Sequence, residues 1–455
     1  MATVIILIFI TGYLFIAFEH VANVNKTAAA LVTGVLCWTL LILSEPSAAL
    51  LQSDLFTKAV EAIALEEGQD FLNLSASDQF REFVLFELDH HIASIAQILL
   101  FLLGAMTIVE LVDAHHGFRF ITDRIRTSNP VVLLWIIGLV SFFLSSILDN
   151  LTTSIVMVSL IRKLIHERER RMMFAGIIII AANAGGAWTP IGDITTTMLW
   201  IGGQISTFSI MKSLFLPSLV CLIVPLTYLS FRMKGNLQQD SHAHEDSIVK
   251  GSRRMLLVGV GALVSVPIFK TYTHLPPYMG ILLGLGLLWI FSEFLHPELD
   301  EATKRKYTVA GALSRIDVPS VLFFAGILLA VAALESMLAL RQFADLLAET
   351  LKDNRLIITL IGVLSAVVDN VPLVAASMGM YSMDVYPQDH TIWNYLAYCA
   401  GTGGSMLIIG SAAGVAVMGM EKINFIWYAK RISLVAMLGY FAGAIVYLIM
   451  DASIL

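Results

Sequence analysis

The chain has 455 residues, 57% apolar and only 14% charged, with a formal net charge of −7 and a mean hydropathy of +0.81. A soluble globular chain carries about 25% charged residues, so this composition excludes an ordinary soluble fold. The net charge itself decides little, because the distribution of Lys and Arg matters more than their sum in a membrane chain.

Apolar runs of about 20 residues recur from end to end, each long enough to cross a bilayer as a helix. The first, residues 3–18, lacks a basic leading segment and a small-residue cleavage site, so it reads as a retained helix. Spans are predicted at 3–19, 27–44, 92–112, 172–203, 210–231, 255–271, 278–297, 318–340, 391–420 and 432–450. The long polar stretches, 45–91 and 233–253, are expected to have no core of their own. Cys37, Cys221 and Cys399 all lie in apolar runs, with spacing that suits neither a metal nor a disulfide framework.

Two further apolar segments, 130–161 and 355–383, carry polar residues at their middles. Arg119, Arg124 and Arg126 precede the first; Arg162, Lys163, Arg168, Arg170 and Arg171 follow it. Basic flanks on both sides place both ends in the cytoplasm. The segment then enters and leaves on one side as a re-entrant hairpin, with arms of about 14 residues that reach ~21 Å. Segment 355–383 has acidic flanks, among them Asp345, Glu349, Asp353, Asp384 and Asp389, and reads as a hairpin entering from outside. This map puts most of the 28 Lys and Arg inside, the acidic stretch 45–91 outside, and both termini outside.

The two halves share polar landmarks. Ser145-Ser146-Ile147-Leu148-Asp149-Asn150 sits at the first hairpin's turn, and Ser365-Ala366-Val367-Val368-Asp369-Asn370 at the second's. Asn183-Ala184-Gly185-Gly186 and then Pro190-Ile191-Gly192-Asp193 follow the first turn. Gly401-Thr402-Gly403-Gly404 and then Ile408-Ile409-Gly410-Ser411 follow the second at a similar distance. The expected fold is all-α and polytopic: two inverted-topology repeats with about ten transmembrane helices, two re-entrant hairpins and two broken helices. The first repeat covers 1–232, a cytoplasmic linker 233–253, and the second repeat 254–455. Inverted repeats recur in secondary transporters, with the substrate site near the midplane at the repeat interface.

Asp149 and Asp369 are ionisable residues at hairpin turns within apolar sequence. Such groups usually face a cavity and serve transport; a helix cap is the plainer use of an Asp there. From Asn183 to Thr197, Gly185, Gly186, Pro190 and Gly192 interrupt the hydrogen-bond ladder. Freed carbonyls there can hold a cation beside the side-chain oxygens of Asn183, Asp193, Thr195 and Thr196. The partner stretch, Gly401 to Gly414, offers Thr402, Ser405 and Ser411 but no acid, and close packing through small residues is its rival reading. Sodium is a hard cation that suits oxygen ligands. The expected cation and proton site comprises Asp149, Asn150, Ser145, Ser146, Asn183, Asp193, Thr195, Thr196, Asp369, Asn370, Ser365, Thr402, Ser405 and Ser411. Within that set, Na⁺ is assigned to Asp149, Asn150, Asn183, Asp193, Asp369 and Asn370. The hairpin-tip carboxylates, Asp149 and Asp369, are expected to bind the cation and the proton alternately, and exchange follows from that competition. Glu110 and Glu335 near span ends, and His90-His91 at the start of the third span, read as interfacial. No phosphate-binding loop supports a primary pump, and no hydrolase motif supports an enzyme. No cofactor and no nucleic-acid partner are expected.

These residues resemble the NhaD type of sodium/proton antiporter, within the wider ion-transporter superfamily. The turns Asp149-Asn150-Leu151-Thr152-Thr153 and Asp369-Asn370-Val371-Pro372, the break from Asn183 to Thr196 and the order of spans carry the resemblance over nearly the whole chain. It implies exchange of Na⁺, and often Li⁺, for H⁺ in a bacterial cytoplasmic membrane. It also implies a homodimer among membrane lipids, with a scaffold and a moving unit of hairpins plus broken helices. In the related sodium/dicarboxylate symporters the hairpin turns look like Ser-Asn-Thr. Here an Asp precedes each Asn, and its negative charge would repel an anionic substrate. That departure favours cation antiport over a sodium-coupled carboxylate symporter. Ser411 stands where the first half has Asp193, so two cation sites would be unequal.

Overall fold

The structure, a computed structural model, describes residues 2–17, 19, 24–118, 127–233, 251–295 and 307–454. Most of the linker over 233–253, and Arg119, Arg124 and Arg126, lie outside the described residues. Regular structure among the described residues is helical, with no strand. The main helices are α1 (Ala2–Ala17), α2 (Lys26–Ile42), α3 (Asp54–Glu67), α4 (Ala76–Ala114), α5 (Pro130–Leu148), α6 (Asn150–Leu164), α7 (Arg168–Gly186), α8 (Ile194–Ile201) and α9 (Thr207–Ser230). They continue with α10 (Ser252–Thr273), α11 (Pro277–Leu295), α12 (Val318–Ser336), α13 (Ala339–Leu351), α14 (Asn354–Leu364), α15 (Asn370–Met380), α16 (Thr391–Gly403), α17 (Ala412–Glu421) and α18 (Leu434–Ile454).

Among the described residues, seven helices are long and apolar enough to cross a membrane: α4, α5, α9, α10, α11, α12 and the continuous stretch 425–452. That stretch runs from the short helix Phe425–Tyr428 through a π turn at Ala429–Ser433 into α18. The protein is a polytopic, all-helical membrane protein. Both segments 172–203 and 391–420 are interrupted, as α7–α8 and α16–α17. Each helix ends at paired glycines, Gly185-Gly186 and Gly403-Gly404, and the chain restarts at an oxygen-bearing cap, Asp193 or Ser411.

Two regions differ from the sequence expectation. The first hairpin has unequal arms: α5 has 19 residues and α6 has 15. Asn129 accepts hydrogen bonds from the backbone N–H groups of Val131 and Val132, and Pro130 opens the helix, so α5 starts early and breaks only at Asp149. At 1.5 Å per residue α5 reaches ~28 Å, a span length rather than half a span. The polar stretch 45–91 also holds an apolar cluster. Phe80, Phe83, Val84 and Glu87 recur at helical spacing on α4 and are buried. The Phe56 and Phe83 rings lie 5.1 Å apart between centroids. Acidic neighbours on the opposite faces hide this pattern from a hydropathy window.

The chain divides into two compact units. The first comprises residues 1–99, 317–352 and 375–385. Its centre is the packing of α2 on α12 through small residues: a Cβ at Gly34 would lie 2.7 Å from the Gly326 carbonyl oxygen. Trp38 Nε1 donates to the Leu329 carbonyl at 2.8 Å across the same contact. Glu87, His91 and Ser336 also meet here, with Ser336 Oγ 3.2 Å from His91 Nε2 and 3.3 Å from Glu87 Oε2.

The second unit comprises residues 100–316, 353–374 and 386–455. It contains α5 to α11, α14, the start of α15, and α16 to α18. Glu110 is ion-paired with Arg315 in this unit, at 2.5 Å. Tyr398 and Tyr440, both buried, tie α16 to α18 through the hydrogen bond from Tyr398 Oη to the Tyr440 carbonyl, 2.7 Å. Both interrupted helices and both hairpin turns therefore fall within one compact body.

Candidate cation site

The first hairpin turns at Asp149, whose φ of 96° is rare for a residue with a side chain. Its carboxylate folds back on α6. Oδ1 accepts from the Thr152 backbone N–H and Oδ2 from Thr152 Oγ1, both at 2.8 Å. Asp149 is thus the N-cap of α6, and its charge also suits the positive end of that helix. The cap brings Asn150, the first residue of α6, to face the break between α7 and α8. Asn150 Nδ2 donates to Asn183 Oδ1 at 3.1 Å and to Asp193 Oδ2 at 2.8 Å.

Asp193 caps the half-helix α8. Its Oδ1 accepts from both the backbone N–H and Oγ1 of Thr195, each at 3.0 Å. Its Oδ2 is turned the other way, toward the hairpin asparagines. Asn370, which opens α15 after the second turn, approaches the same Oδ2 with its Nδ2 at 3.5 Å, the outer limit for such a bond. Asn183 Nδ2 donates to Ser411 Oγ at 3.1 Å, and Ser411 in turn caps α17 through the Gly414 N–H at 3.2 Å. Asp193 is 2% exposed and Asn183 0%, so this is a carboxylate held among amides and hydroxyls away from solvent. Asp149 and Asp369 are half-buried, and both lie within electrostatic reach of Asp193.

Asn150, Asn183, Asp193, Thr195, Asn370 and Ser411 thus form one hydrogen-bonded cluster. The other expected residues act on backbone. Ser145 Oγ donates to the Ala182 carbonyl at 2.6 Å and Ser365 Oγ to the Ala400 carbonyl at 3.0 Å. Ser146 Oγ donates to the Phe143 carbonyl, Thr196 Oγ1 to that of Asp193, Thr402 Oγ1 to that of Tyr398, and Ser405 Oγ to that of Thr402. Sequence reading did not place among the site residues Thr152, which holds Asp149, or Thr189, whose Oγ1 donates to the Ser146 carbonyl at 2.7 Å. The signal for Thr152 was its place three residues after an Asp at a helix start, the usual capping offset.

The matched landmarks make matched contacts. A Cβ on Gly192 would lie 2.8 Å from the Ser145 carbonyl oxygen, and one on Gly410 2.6 Å from the Ser365 carbonyl oxygen. Each hairpin turn therefore seats on the glycine just before the half-helix cap. Among the described residues no group of three His, Cys, Asp or Glu is placed to hold a metal ion. The candidate site is instead one buried carboxylate with neutral oxygens, a donor set for a weakly held hard cation or a proton.

Oxygen-lined breaks in helices, protected inside protein, are how a membrane chain offers polar groups to an ion without exposing bare backbone to lipid. The fold and this site define a polytopic membrane transporter. The chain belongs to the family whose model is described as CitMHS, citrate transporter, matched over residues 13–396, and to the NhaD-type antiporters that its motifs resemble. It is 49% identical to Sodium/proton antiporter 1 of Arabidopsis thaliana over 97% of this chain and 71% of that protein. It is 45% identical to Sodium/proton antiporter 2 of the same plant, over 97% of this chain and 98% of that one. The Na(+)/H(+) antiporter NhaD of Alkalimonas amylolytica is 33% identical over 80% of this chain and 79% of its own length.

Proposed function

We propose that this protein exchanges Na⁺, and also Li⁺, for H⁺ across a bacterial cytoplasmic membrane. The observation that carries the reading is Asp193: a buried carboxylate at a helix break, with the asparagines that follow both hairpin turns directed at the same oxygen. When Asp193 is ionised, its Oδ2 together with the side-chain oxygens of Asn150, Asn183 and Asn370 supplies ligands for a hard cation, once the asparagine amides rotate. When it is protonated, the amides keep the carboxyl bonded and the cation has no counter-charge. Asp149 and Asp369, at the two turns, are the further sites at which Na⁺ and H⁺ compete. Exchange follows because one site cannot hold both.

The protein works as a homodimer among membrane lipids, needs no cofactor, and has both termini on the outer side. Its halves, 1–232 and 254–455, are inverted repeats joined by a cytoplasmic linker. The paired serine-to-carbonyl and glycine-to-carbonyl contacts support that reading. A sodium-coupled carboxylate symporter is the second reading, favoured by the family description of citrate transport. Three carboxylates about the site weigh against it, since an anion brought among them meets repulsion.

The test is Na⁺-driven pH change in proteoliposomes of the purified protein, with Li⁺ and K⁺ alongside and labelled citrate and dicarboxylate uptake as the competing measurement. Na⁺- and Li⁺-driven acidification without anion uptake is the expected result. Sodium-dependent uptake of labelled anion with no pH change overturns the reading in favour of the symporter.

A further inference from the structure

The second unit holds a cavity of about 320 Å³ that no residue of the cation site lines. Three arginines from three elements converge on it: Arg170 in the first turn of α7, Arg232 just beyond α9, and Arg431 in the π turn that leads into α18. Pro130, the first residue of α5, and Met233 form an apolar part of its border. Both α5 and α9 are long and apolar enough to cross the membrane, and the cavity lies where α5 starts and α9 stops. That is the depth of lipid headgroups, not of acyl chains. Tyr228, in the last turn of α9, has its ring centroid 4.9 Å from the Arg232 guanidinium, and tyrosine is enriched at that depth.

The packing places these arginines and leaves their acids at the rim. A Cβ on Gly176 would lie 2.7 Å from Ile432, so the missing side chain lets the π turn press against α7 and fixes Arg431 near Arg170. Such turns inside helices recur at functional sites. Arg170 Nε pairs with Glu167 at 2.8 Å, and Arg431 Nη2 approaches Glu169 at 3.7 Å. The two carboxylate side chains are 59% and 63% exposed. Exposed pairs of this kind contribute little, so both acids can turn to water when a stronger anion arrives. Among the described residues Arg232 makes no ion pair. Glu421 is the contrast: it is buried and saturated, with Arg162 Nε at 2.6 Å and Arg171 Nε at 2.7 Å, a closed structural set.

We propose that this cavity binds the headgroup of one anionic phospholipid, with Arg170, Arg232 and Arg431 around its phosphodiester. The guanidinium fork matches phosphate oxygens two at a time, and basic pockets between spans suit acidic headgroups. The volume is at the small end of the ~300–1,000 Å³ range of ligand pockets, a size for a headgroup and not for a whole lipid. On the sidedness proposed above the lipid belongs to the cytoplasmic leaflet. The site does not depend on which ion the protein carries. A bound headgroup ties the start of α7, whose last turn holds Asn183, to the end of α9 and the π turn.

The test uses the purified, delipidated protein in detergent, with phosphatidylglycerol, phosphatidylcholine and soluble glycerol 3-phosphate as probes. Native mass spectrometry reads binding and thermal unfolding reads its effect. Phosphatidylglycerol should bind and raise Tm, and phosphatidylcholine should bind at least about tenfold more weakly. Glycerol 3-phosphate should do neither. The double variant Arg232→Gln, Arg431→Gln should weaken phosphatidylglycerol binding at least about tenfold. Arg254→Gln, at an exposed arginine in the first turn of α10, should leave it unchanged. Glu169→Gln removes a competing carboxylate and should tighten binding about fivefold, the worth of one charge at a membrane surface. Misfolding cannot produce that gain, so it decides the matter even if the double variant fails to fold. Equal binding of the two phospholipids, wild-type binding in a folded double variant, or no gain in Glu169→Gln overturns the proposal. Glycerol 3-phosphate binding as tightly as the lipid makes this a site for free anions and overturns the lipid assignment.

Discussion

Asp149 and Asp193 are both acids that open helices, yet their oxygens are used differently. Both oxygens of Asp149 bond to Thr152, whereas Asp193 gives one oxygen to Thr195 and presents the other to Asn150 and Asn370. Substitution by Asn separates these uses, because it keeps a capping oxygen and removes the ionisable group. Asp193→Asn should weaken apparent Na⁺ affinity at alkaline pH at least tenfold, about 1.4 kcal/mol, with near-normal amounts in the membrane. Normal Na⁺ affinity in that variant makes Asp193 structural. Asp149→Asn should abolish exchange and Asp369→Asn should abolish or severely reduce it, measured as Na⁺-induced dissipation of a pH gradient in everted vesicles. If the double variant is present and exchanges with an unchanged pH profile, coupling lies with other groups. In the wild-type protein the sign is fixed by competition. Low pH fills the site with protons, so apparent Na⁺ affinity improves as pH rises and levels off once the carboxylate is ionised. Sodium binding must release protons over the same range.

The interrupted helices depend on glycines where backbone meets backbone. Gly192 and Gly410 sit against the Ser145 and Ser365 carbonyls, at distances no Cβ accommodates without a shift. An added methyl there must push the hairpin turn away from the break. Gly192→Ala and Gly410→Ala should each destabilise the protein by about 1–3 kcal/mol and weaken Na⁺ affinity, read from thermal unfolding and transport. Gly419, in the body of α17 with nothing within 4 Å of its Cβ position, is the control: Gly419→Ala should be neutral or stabilising by up to about 1 kcal/mol. Equal losses in all three variants would mean that general helix sensitivity, not seating of the turn, is being measured.

At the scale of the molecule, the bilayer determines sidedness. Cysteines introduced at 122 and 167 should both label from the cytoplasm, and cysteines at 350 and 386 should both label from outside, with an impermeant thiol reagent. The native cysteines are all buried and should give little background. Labelling of 122 and 167 from opposite sides would make the first hairpin a full span, which the 19-residue length of α5 permits, and would remove the inverted repeat.

Much of this protein was legible in its sequence. Apolar runs mark the spans because lipid requires apolar side chains over a fixed length. Glycines and a proline between Asn183 and Thr197 mark the broken helix because these residues cannot sustain a hydrogen-bond ladder. The same logic put Asn150, Asn183 and Asp193 in one candidate site. Sequence did not reveal the use of each oxygen. Asp149 and Asp193 read alike, as acids before Thr-containing helix starts, and only the packed chain gives both oxygens of Asp149 to Thr152 and leaves Asp193 one oxygen for both asparagines. It did not reveal the Phe56–Phe83 cluster, where acids on other helix faces diluted the hydropathy. Nor did it reveal that Lys270, which looks like an ordinary lysine near a span's end, donates from Nζ to the Trp200 carbonyl at 2.7 Å. Its contact with Trp200 spans 70 residues of chain. Local pattern fixes where a helix starts and stops, because caps and breaks act within a turn or two. Which distant cation meets its last carbonyl depends on how helices pack, and that is decided only in three dimensions.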